Sequence, residues 1–330
     1  MAAMTTQHEI QPDALAGYIT KRILPAVGRQ GASFTLELIS SGSRNIIWFL
    51  TIADGGKYVL KAVSKRFRIK NIIWAHAYLE RRGLPVPRLL FADRAWKTAR
   101  TMGYYFACEE RVDGIALDGL GDERAGHIKP VAALFASMHA NRSLRWGKMK
   151  SFQILGFGEY LMRKAAERIE ALAGSGCTVQ GKPAAGLLAW FEQKKTIIKP
   201  FWGFNLCHGD VNMKNILLSP GGSIRLIDTE AFKFLPFQIE YFRLAYGLCG
   251  FDAAALEQFT SAYAAAATIK NLQRLETQGF FYHAYVLLEI AWHFNKKLKR
   301  ENLPAAELRG CRENRGKALE HLAAVIEKKP

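Results

Sequence analysis

Alternating apolar and polar positions in the first third of the chain predict a sheet. The strand-like segments are residues 33–39, 46–52, 58–63, 87–91 and 102–110. Asp54-Gly55-Gly56 has the composition of a hairpin turn between two of them. Helical spacing of apolar residues is found on either side of the first three strands, over residues 13–27 and 69–82.

The remaining two thirds of the chain have mainly helical spacing. Apolar residues three and four positions apart are found over residues 131–140, 157–173, 187–197 and, almost throughout, 238–327. Residues 215–227 interrupt this pattern with a short strand–turn–strand hairpin. The order predicts an α+β fold with a strand-rich lobe over residues 1–110 and a mostly helical lobe over residues 111–330.

Composition is that of a globular protein, with 49% hydrophobic residues among 330. No apolar run reaches the roughly 18 residues that span a bilayer, and the first residues lack the features of a signal peptide. The five cysteines are scattered and include no C-x-x-C pair, so neither a disulfide framework nor a zinc knuckle is supported. A reduced cytoplasmic protein is expected.

The net charge of +17 is concentrated in residues 57–100, which carry twelve basic residues against Glu80 and Asp93. Such a patch attracts nucleotides, phosphorylated sugars, acidic lipid headgroups or nucleic acid, although a solvated helix face has the same appearance. No nucleic-acid reader motif is present, so specific nucleic-acid binding is not expected. Weak association with an anionic membrane surface is expected instead. The charge also disfavours a polycationic substrate, and the sequence leaves the oligomeric state open.

One motif concentrates the candidate chemistry: H-G-D-x-x-x-x-N, running from His208 through Asp210 to Asn215. Asp228 follows it after the hairpin. An aspartate within reach of a hydroxyl is suited to accept its proton. An asparagine and a second aspartate offer the oxygen ligands that magnesium prefers. Turn formation explains Asp210 and Asn215 individually, but it explains the ordered set poorly.

Two features of the first lobe fit the same chemistry. Lys61 lies in the strand Y-V-L-K, where burial is costly unless the ammonium is paired, for example with a phosphate. The small polar turn around Gly42 offers backbone N–H groups that can cradle phosphates, although ordinary hairpins look similar.

Together these motifs resemble the aminoglycoside phosphotransferase and choline kinase-like family, small-molecule kinases with a bilobal protein-kinase-like fold. The resemblance spans nearly the whole chain and is strongest in L-C-H-G-D-V-N-M-K-N-I-L-L and I-R-L-I-D-T-E. It implies ATP and Mg²⁺ as cofactors, with Asp210 as the catalytic residue and Asn215 and Asp228 as metal ligands. The nucleotide-binding residues that it implies are Lys61, Ser41, Gly42, Ser43, Asn45, Glu110 and Val112, the last two in the hinge.

The sequence departs from the resemblance at one position. In kinase-like folds a helix glutamate pairs with the strand lysine, but the helix over residues 69–82 has only Glu80, and Trp74, Ala75 and His76 occupy the neighbourhood of the family position. Either Lys61 lacks its usual partner, or it pairs with Glu80 or an acid from elsewhere, or the protein binds ATP differently.

We expect Mg²⁺- and ATP-dependent phosphorylation of a hydroxyl on a small molecule that is sugar-like, an amino alcohol or similar. Two alternatives stay open. The basic stretch from Lys65 to Lys70 is similar to that of lipopolysaccharide-core sugar kinases, which act at the inner membrane face. The missing helix acid instead suggests a nucleotide-binding pseudokinase without turnover.

Overall fold

The computed structural model describes residues 10–41, 45–148, 156–198 and 203–328, with the Ser41 side chain excepted. The chain forms two compact units. The first comprises residues 1–120, 148–151 and 213–232, and the second comprises residues 121–147, 152–212 and 233–330. The hairpin that follows the H-G-D motif is therefore part of the first unit. The predicted functional division at residue 110 stays a prediction.

The elements are numbered in chain order. The helices are α1 (Pro12–Tyr18), α2 (Leu24–Ala26), α3 (Arg66–Arg81), α4 (Trp96–Met102), α5 (Ile128–His139), α6 (Phe157–Ala173), α7 (Leu187–Lys194), α8 (Phe237–Cys249), α9 (Ala253–Ala266), α10 (Ile269–Leu298) and α11 (Ala305–Glu327). The strands are β1 (Phe34–Ser41), β2 (Asn45–Ile52), β3 (Lys57–Val63), β4 (Leu89–Asp93), β5 (Tyr105–Glu110), β6 (Ile115–Ala116), β7 (Arg142–Ser143), β8 (Gly147–Lys148), β9 (Thr178–Val179), β10 (Lys182–Pro183), β11 (Phe204–Cys207), β12 (Ile216–Leu218), β13 (Ile224–Leu226) and β14 (Lys233–Leu235).

The first unit is built on a five-stranded antiparallel sheet in the order β1-β2-β3-β5-β4. Successive side chains of a strand point to opposite faces, so each face has its own core. Leu60 and Phe106 face the N-terminal helical segment, which continues from α1 through a π-helical turn into α2. Val63 and Ala107 face the other way, toward α3.

A small antiparallel sheet, β13-β12-β6, completes the first unit. It contains the predicted hairpin, in which Ile216 lies opposite Leu226. The amide of Ile227 donates to the carbonyl oxygen of Asn215 at 3.0 Å. This bond brings the ends of the hairpin together, so Asn215 and Asp228 are held near each other.

The second unit is mainly helical, and α10 packs against α6, α8 and α11. Within it β11 pairs with β7 on one side and with β14 on the other, both antiparallel. The core strand β11 leads directly into His208 and the H-G-D motif. Among the described residues, no helix combines the length and apolar character that a membrane span requires.

Most predicted elements are present, with shifted ends. The predicted strand over residues 102–110 begins later than expected, because Met102 is the last residue of α4. Gly103 ends α4 with a left-handed φ of 77°, which glycine adopts readily, and β5 begins only at Tyr105. Alanine, lysine and arginine favour the helix over residues 96–102, most of which the apolar pattern had assigned to no element.

Candidate active site

Lys61 is an almost fully buried cation in the middle of β3, with 5% of its surface exposed. Its Nζ lies 3.1 Å from Oε2 of Glu109, which is equally buried. Strand register explains this pair, because Lys61 lies opposite Ala107 on β5 and Glu109 is two residues further on the same face. Lys61 therefore has an acidic partner, and it is neither Glu80 nor any other residue of α3.

His76 of α3 joins the ion pair through a hydrogen bond to Glu109. Its Nε2 lies 3.0 Å from Oε1 of Glu109 and 2.7 Å from Oγ1 of Thr229, the residue that follows Asp228. The histidine links α3, the sheet and the end of the hairpin. All four side chains in this network are buried: Lys61, His76, Glu109 and Thr229.

The charges of this cluster favour the ionised forms of Lys61 and Glu109. Burial lowers the pKa of Lys61, but the carboxylates of Glu109, Glu230 and Asp228 outweigh that effect and raise it. Burial likewise raises the pKa of Glu109, and the charge of Lys61 with the hydrogen bond from His76 lowers it to about 2. Lys61 is thus a fixed cation at neutral pH, suited to bind an anion.

Asp228 follows β13 with a left-handed backbone, φ 61° and ψ 50°. Non-glycine residues adopt this conformation rarely, and it is often found where a side chain is aimed for a function. Asp228 and Asn215, which the hairpin holds together, line the same cavity. Their side chains offer oxygen ligands only.

Glu230 adds a third oxygen donor to this wall. One of its carboxylate oxygens accepts a hydrogen bond from the side-chain amide of Asn45, while Oε2 is buried and has no hydrogen-bond partner in the described chain. An unpartnered buried carboxylate oxygen is costly unless a cation satisfies it. With Asn215 and Asp228 alongside, this set suits Mg²⁺, which takes oxygen ligands.

The cavity between β1–β3, β5 and the hairpin has a volume of about 830 Å³. It brings together six of the predicted site residues: Asn45, Lys61, Glu110, Val112, Asn215 and Asp228. Gly42, Ser43 and the Ser41 side chain lie outside the described part of the chain. At the predicted hinge, the Glu110 amide donates to the Arg88 carbonyl at 2.9 Å, whereas the Val112 amide has no backbone acceptor among the described residues.

Asp210 belongs to the second unit, where it is exposed at the end of the loop that follows β11. The preceding loop is held by Glu240 of α8. Its two carboxylate oxygens accept from the backbone amides of His208, at 2.9 Å, and Gly209, at 2.8 Å. Gly209 has a left-handed φ of 84°, which a residue with a Cβ adopts less readily.

A buried chain of side chains supports Glu240 in turn. Nε2 of His139 lies 3.1 Å from Glu240, and Nδ1 of His139 lies 2.7 Å from the hydroxyl of Tyr263. Burial raises the pKa of Glu240, but the hydrogen bond and charge of His139, the charge of His208 and the hydrogen bond from the Gly209 amide together lower it below its ordinary value. Glu240 thus stays ionised while it fixes the loop before Asp210.

The sequence analysis missed Glu109, Glu240 and the role of His76. A signal exists for the two acids: each lies in a mostly apolar and mostly buried segment, Glu109 in β5 and Glu240 in α8. A charge in such a setting requires a partner. Glu230 was not among the predicted site residues. It is half-buried against the cavity.

Solved structures similar to this chain are small-molecule phosphotransferases. A Ralstonia eutropha protein assigned as an aminoglycoside phosphotransferase has 17% identity and a TM-score of 0.68, covering 97% of this chain and 100% of that one. An ethanolamine kinase from Plasmodium vivax has 14% identity and a TM-score of 0.58, covering 96% and 91%. An aminoglycoside phosphotransferase solved with ADP and hygromycin B has 16% identity and a TM-score of 0.56, covering 94% and 98%.

These similarities confirm the predicted protein-kinase-like α+β fold. A sequence search of curated proteins gives no significant match. The family described as the phosphotransferase enzyme family matches residues 35–276, well over half of the chain. The prediction of a phosphotransferase is confirmed, and the chain belongs to the phosphotransferase enzyme family.

Proposed function

We propose that the protein transfers a phosphoryl group from Mg²⁺-bound ATP to a hydroxyl of a small molecule. One observation carries the proposal: a buried lysine, fixed as a cation by Glu109, shares a cavity with the oxygen donors of Asn215, Asp228 and Glu230. A phosphate needs the cation and magnesium needs the oxygens. Positioning and charge stabilisation are the main requirements of phosphoryl transfer.

The nucleotide end of the proposal rests on the hinge and Lys61. Val112 lines the cavity and its amide has no backbone acceptor in the described part of the chain, so this amide is suited to an adenine nitrogen. Lys61 then neutralises phosphate charge. The similar phosphotransferase solved with ADP supports an adenine nucleotide, and the cavity volume of about 830 Å³ suits a ligand of that size.

Asn215, Asp228 and Glu230 would hold the magnesium ion, which neutralises charge on the phosphates when bound. The protein contributes the αL turn that aims Asp228 and the bond that ties Asn215 to the far side of the hairpin. His76 forms a hydrogen bond with Thr229, the residue next to Asp228, and so helps to fix the backbone there. These groups stay in place without the ion, because each has a backbone or side-chain anchor.

Asp210 would accept the proton of the acceptor hydroxyl. Its carboxylate is exposed and so can meet a substrate, whereas the loop leading to it is fixed at two amides by Glu240. A catalytic base requires this combination of access and fixed position.

The acceptor class follows from charge. The net charge of +17 opposes the approach of a polycation, so a neutral or anionic hydroxyl compound is favoured. The similar structures are an ethanolamine kinase and aminoglycoside phosphotransferases, including one with hygromycin B, so hydroxyl acceptors of the relatives differ widely. The anionic sugar that a lipopolysaccharide-core sugar kinase phosphorylates falls within this acceptor class, so that alternative stays open.

The pseudokinase alternative depended on the absence of an acidic partner for Lys61. Glu109 supplies that partner, so we favour catalysis.

A screen of hydroxyl compounds for ADP release, combined with calorimetry of Mg²⁺–ATP binding, tests the proposal. We expect ATP to bind only with Mg²⁺ and ADP release to depend on one class of acceptor. Absence of ATP binding would refute the kinase function. Binding without turnover across sugars, amino alcohols and aminoglycosides would favour the pseudokinase.

A further inference from the structure

The outer face of α3 carries a stripe of aromatic and basic residues. Phe67, Lys70, Trp74, Tyr78 and Arg81 are spaced by three or four positions, which places them on one side of a helix. Phe67 is 50% exposed and Trp74 is 47% exposed. The opposite side of the same helix carries the apolar residues that pack against the sheet: Ile69, Ile72, Ala75 and Leu79.

Helix α4 continues this surface. Its Ala99 packs against the same cluster as Ile69 and Ile72, so α3 and α4 cover one face of the sheet. Trp96 at the start of α4 is 64% exposed. We call the outer side of these two helices the α3–α4 surface, defined by Phe67, Trp74, Trp96 and the basic residues named next.

Nine basic residues lie on or directly beside the two helices: Lys65, Arg66, Arg68, Lys70, Arg81, Arg82, Arg94, Lys97 and Arg100. None of them forms an ion pair with a described residue. Glu80 is the exposed acid of α3, and the other nearby acid, Asp93, is buried and bonded to Tyr18 and Thr98. The surface thus combines unneutralised positive charge with three exposed aromatic rings.

We propose that the α3–α4 surface docks onto an anionic phospholipid membrane. Tryptophan and phenylalanine favour the boundary between headgroups and acyl chains, and lysine and arginine favour anionic headgroups. A helix with apolar residues on its inner face and aromatic and basic residues on its outer face is suited to lie along such a surface. The inference does not depend on the acceptor or on the proposed transfer reaction.

The spacing of the rings favours a membrane over single-stranded nucleic acid. Phe67 and Trp74 lie seven positions apart, about 10 Å along the helix axis. Successive nucleotides need closely spaced stacking platforms, whereas a membrane needs only that the rings emerge on one side. Each basic residue near an anionic bilayer strengthens binding by about fivefold. Docking is therefore reversible and weakens as salt screens the charge.

Co-sedimentation of the full chain with vesicles tests the proposal, using pure phosphatidylcholine vesicles and vesicles of phosphatidylcholine with an equal amount of phosphatidylglycerol. We expect binding to the second kind only, and less of it at high salt. The double variant Lys70→Gln, Arg81→Gln should bind about thirtyfold more weakly. The variant Trp74→Ser, Trp96→Ser should bind more weakly without any change of charge.

Lys299→Gln with Arg300→Gln is the matched control, because it removes the same charge from an exposed segment after α10. It should leave vesicle binding within about twofold of the unaltered protein. An equal loss in this control would show diffuse attraction and overturn the proposal, as would the absence of vesicle binding. Binding of a single-stranded oligonucleotide that depends on Trp74 and Trp96, without vesicle binding, would assign the surface to nucleic acid instead. Thermal unfolding and Mg²⁺–ATP binding should be the same for all variants.

Discussion

The ion pair between Lys61 and Glu109 should be among the strongest single stabilising interactions of the first unit, and a double-mutant cycle can measure it. Both groups are almost fully buried, and their charged atoms are 3.1 Å apart. Removal of one partner leaves the other charge in a site of low dielectric, which costs roughly 3–5 kcal/mol. Lys61→Met, Glu109→Gln and the double variant complete the cycle.

The pKa of Glu109 gives a related measure, which combines the effects of Lys61, His76 and burial. Its fall from the ordinary value of 4.5 to about 2 corresponds to about 3 kcal/mol of stability. Because the folded state lowers this pKa, the contribution is complete above pH 4.5 and is lost as the pH falls towards 2. The unaltered protein should therefore lose this stability in acid, and Glu109→Gln should lose much less.

Urea unfolding followed by tryptophan fluorescence, at neutral and acidic pH, supplies the free energies of unfolding. We expect each single variant to lose about 3 kcal/mol, and the double variant to lose far less than the sum. Glu80→Gln, which removes the exposed acid of α3, should change stability by less than about 0.5 kcal/mol. Losses in the cycle that add to within about 0.5 kcal/mol would refute a coupled pair.

Three further changes address the proposed chemistry. Asp210→Ala should lower turnover at least about a hundredfold while calorimetry finds nearly unchanged Mg²⁺–ATP affinity, since proton transfer alone is lost. Asp228→Ala should instead weaken Mg²⁺–ATP binding at least about tenfold, and unchanged affinity would exclude it as a ligand. Glu240→Gln leaves one oxygen where two amides donate, so kcat should fall by about tenfold or more with little change in nucleotide affinity; an equal loss of both would indicate general unfolding.

Local sequence patterns predicted the helices and strands that carry the site. They could not predict the contacts that depend on pairing between distant strands. The alternation over residues 58–63 predicted β3 and the burial of Lys61, and the turn chemistry of residues 215–227 predicted the hairpin with Asn215 and Asp228 at its ends. The partner of Lys61 lies 48 positions away at Glu109, and it is brought near by the pairing of β3 with β5. Register between distant strands is fixed by the whole sheet, so the sequence pattern left the partner of Lys61 open and could not identify Glu109.

The acid that pairs with Lys61 lies on a strand and not on a helix, and this position changes how the site can be regulated. In protein kinases the acid is on a helix, so movement of that helix makes or breaks the ion pair and switches activity. Here Glu109 is on β5, which is hydrogen-bonded to β3 along its whole length, from Tyr58 opposite Glu110 to Val63 opposite Tyr105. A displacement of α3 would remove the contact of His76 with Glu109 but would leave Lys61 paired. The pair is therefore formed whenever the sheet is formed, and a movement of α3 alone cannot make or break it.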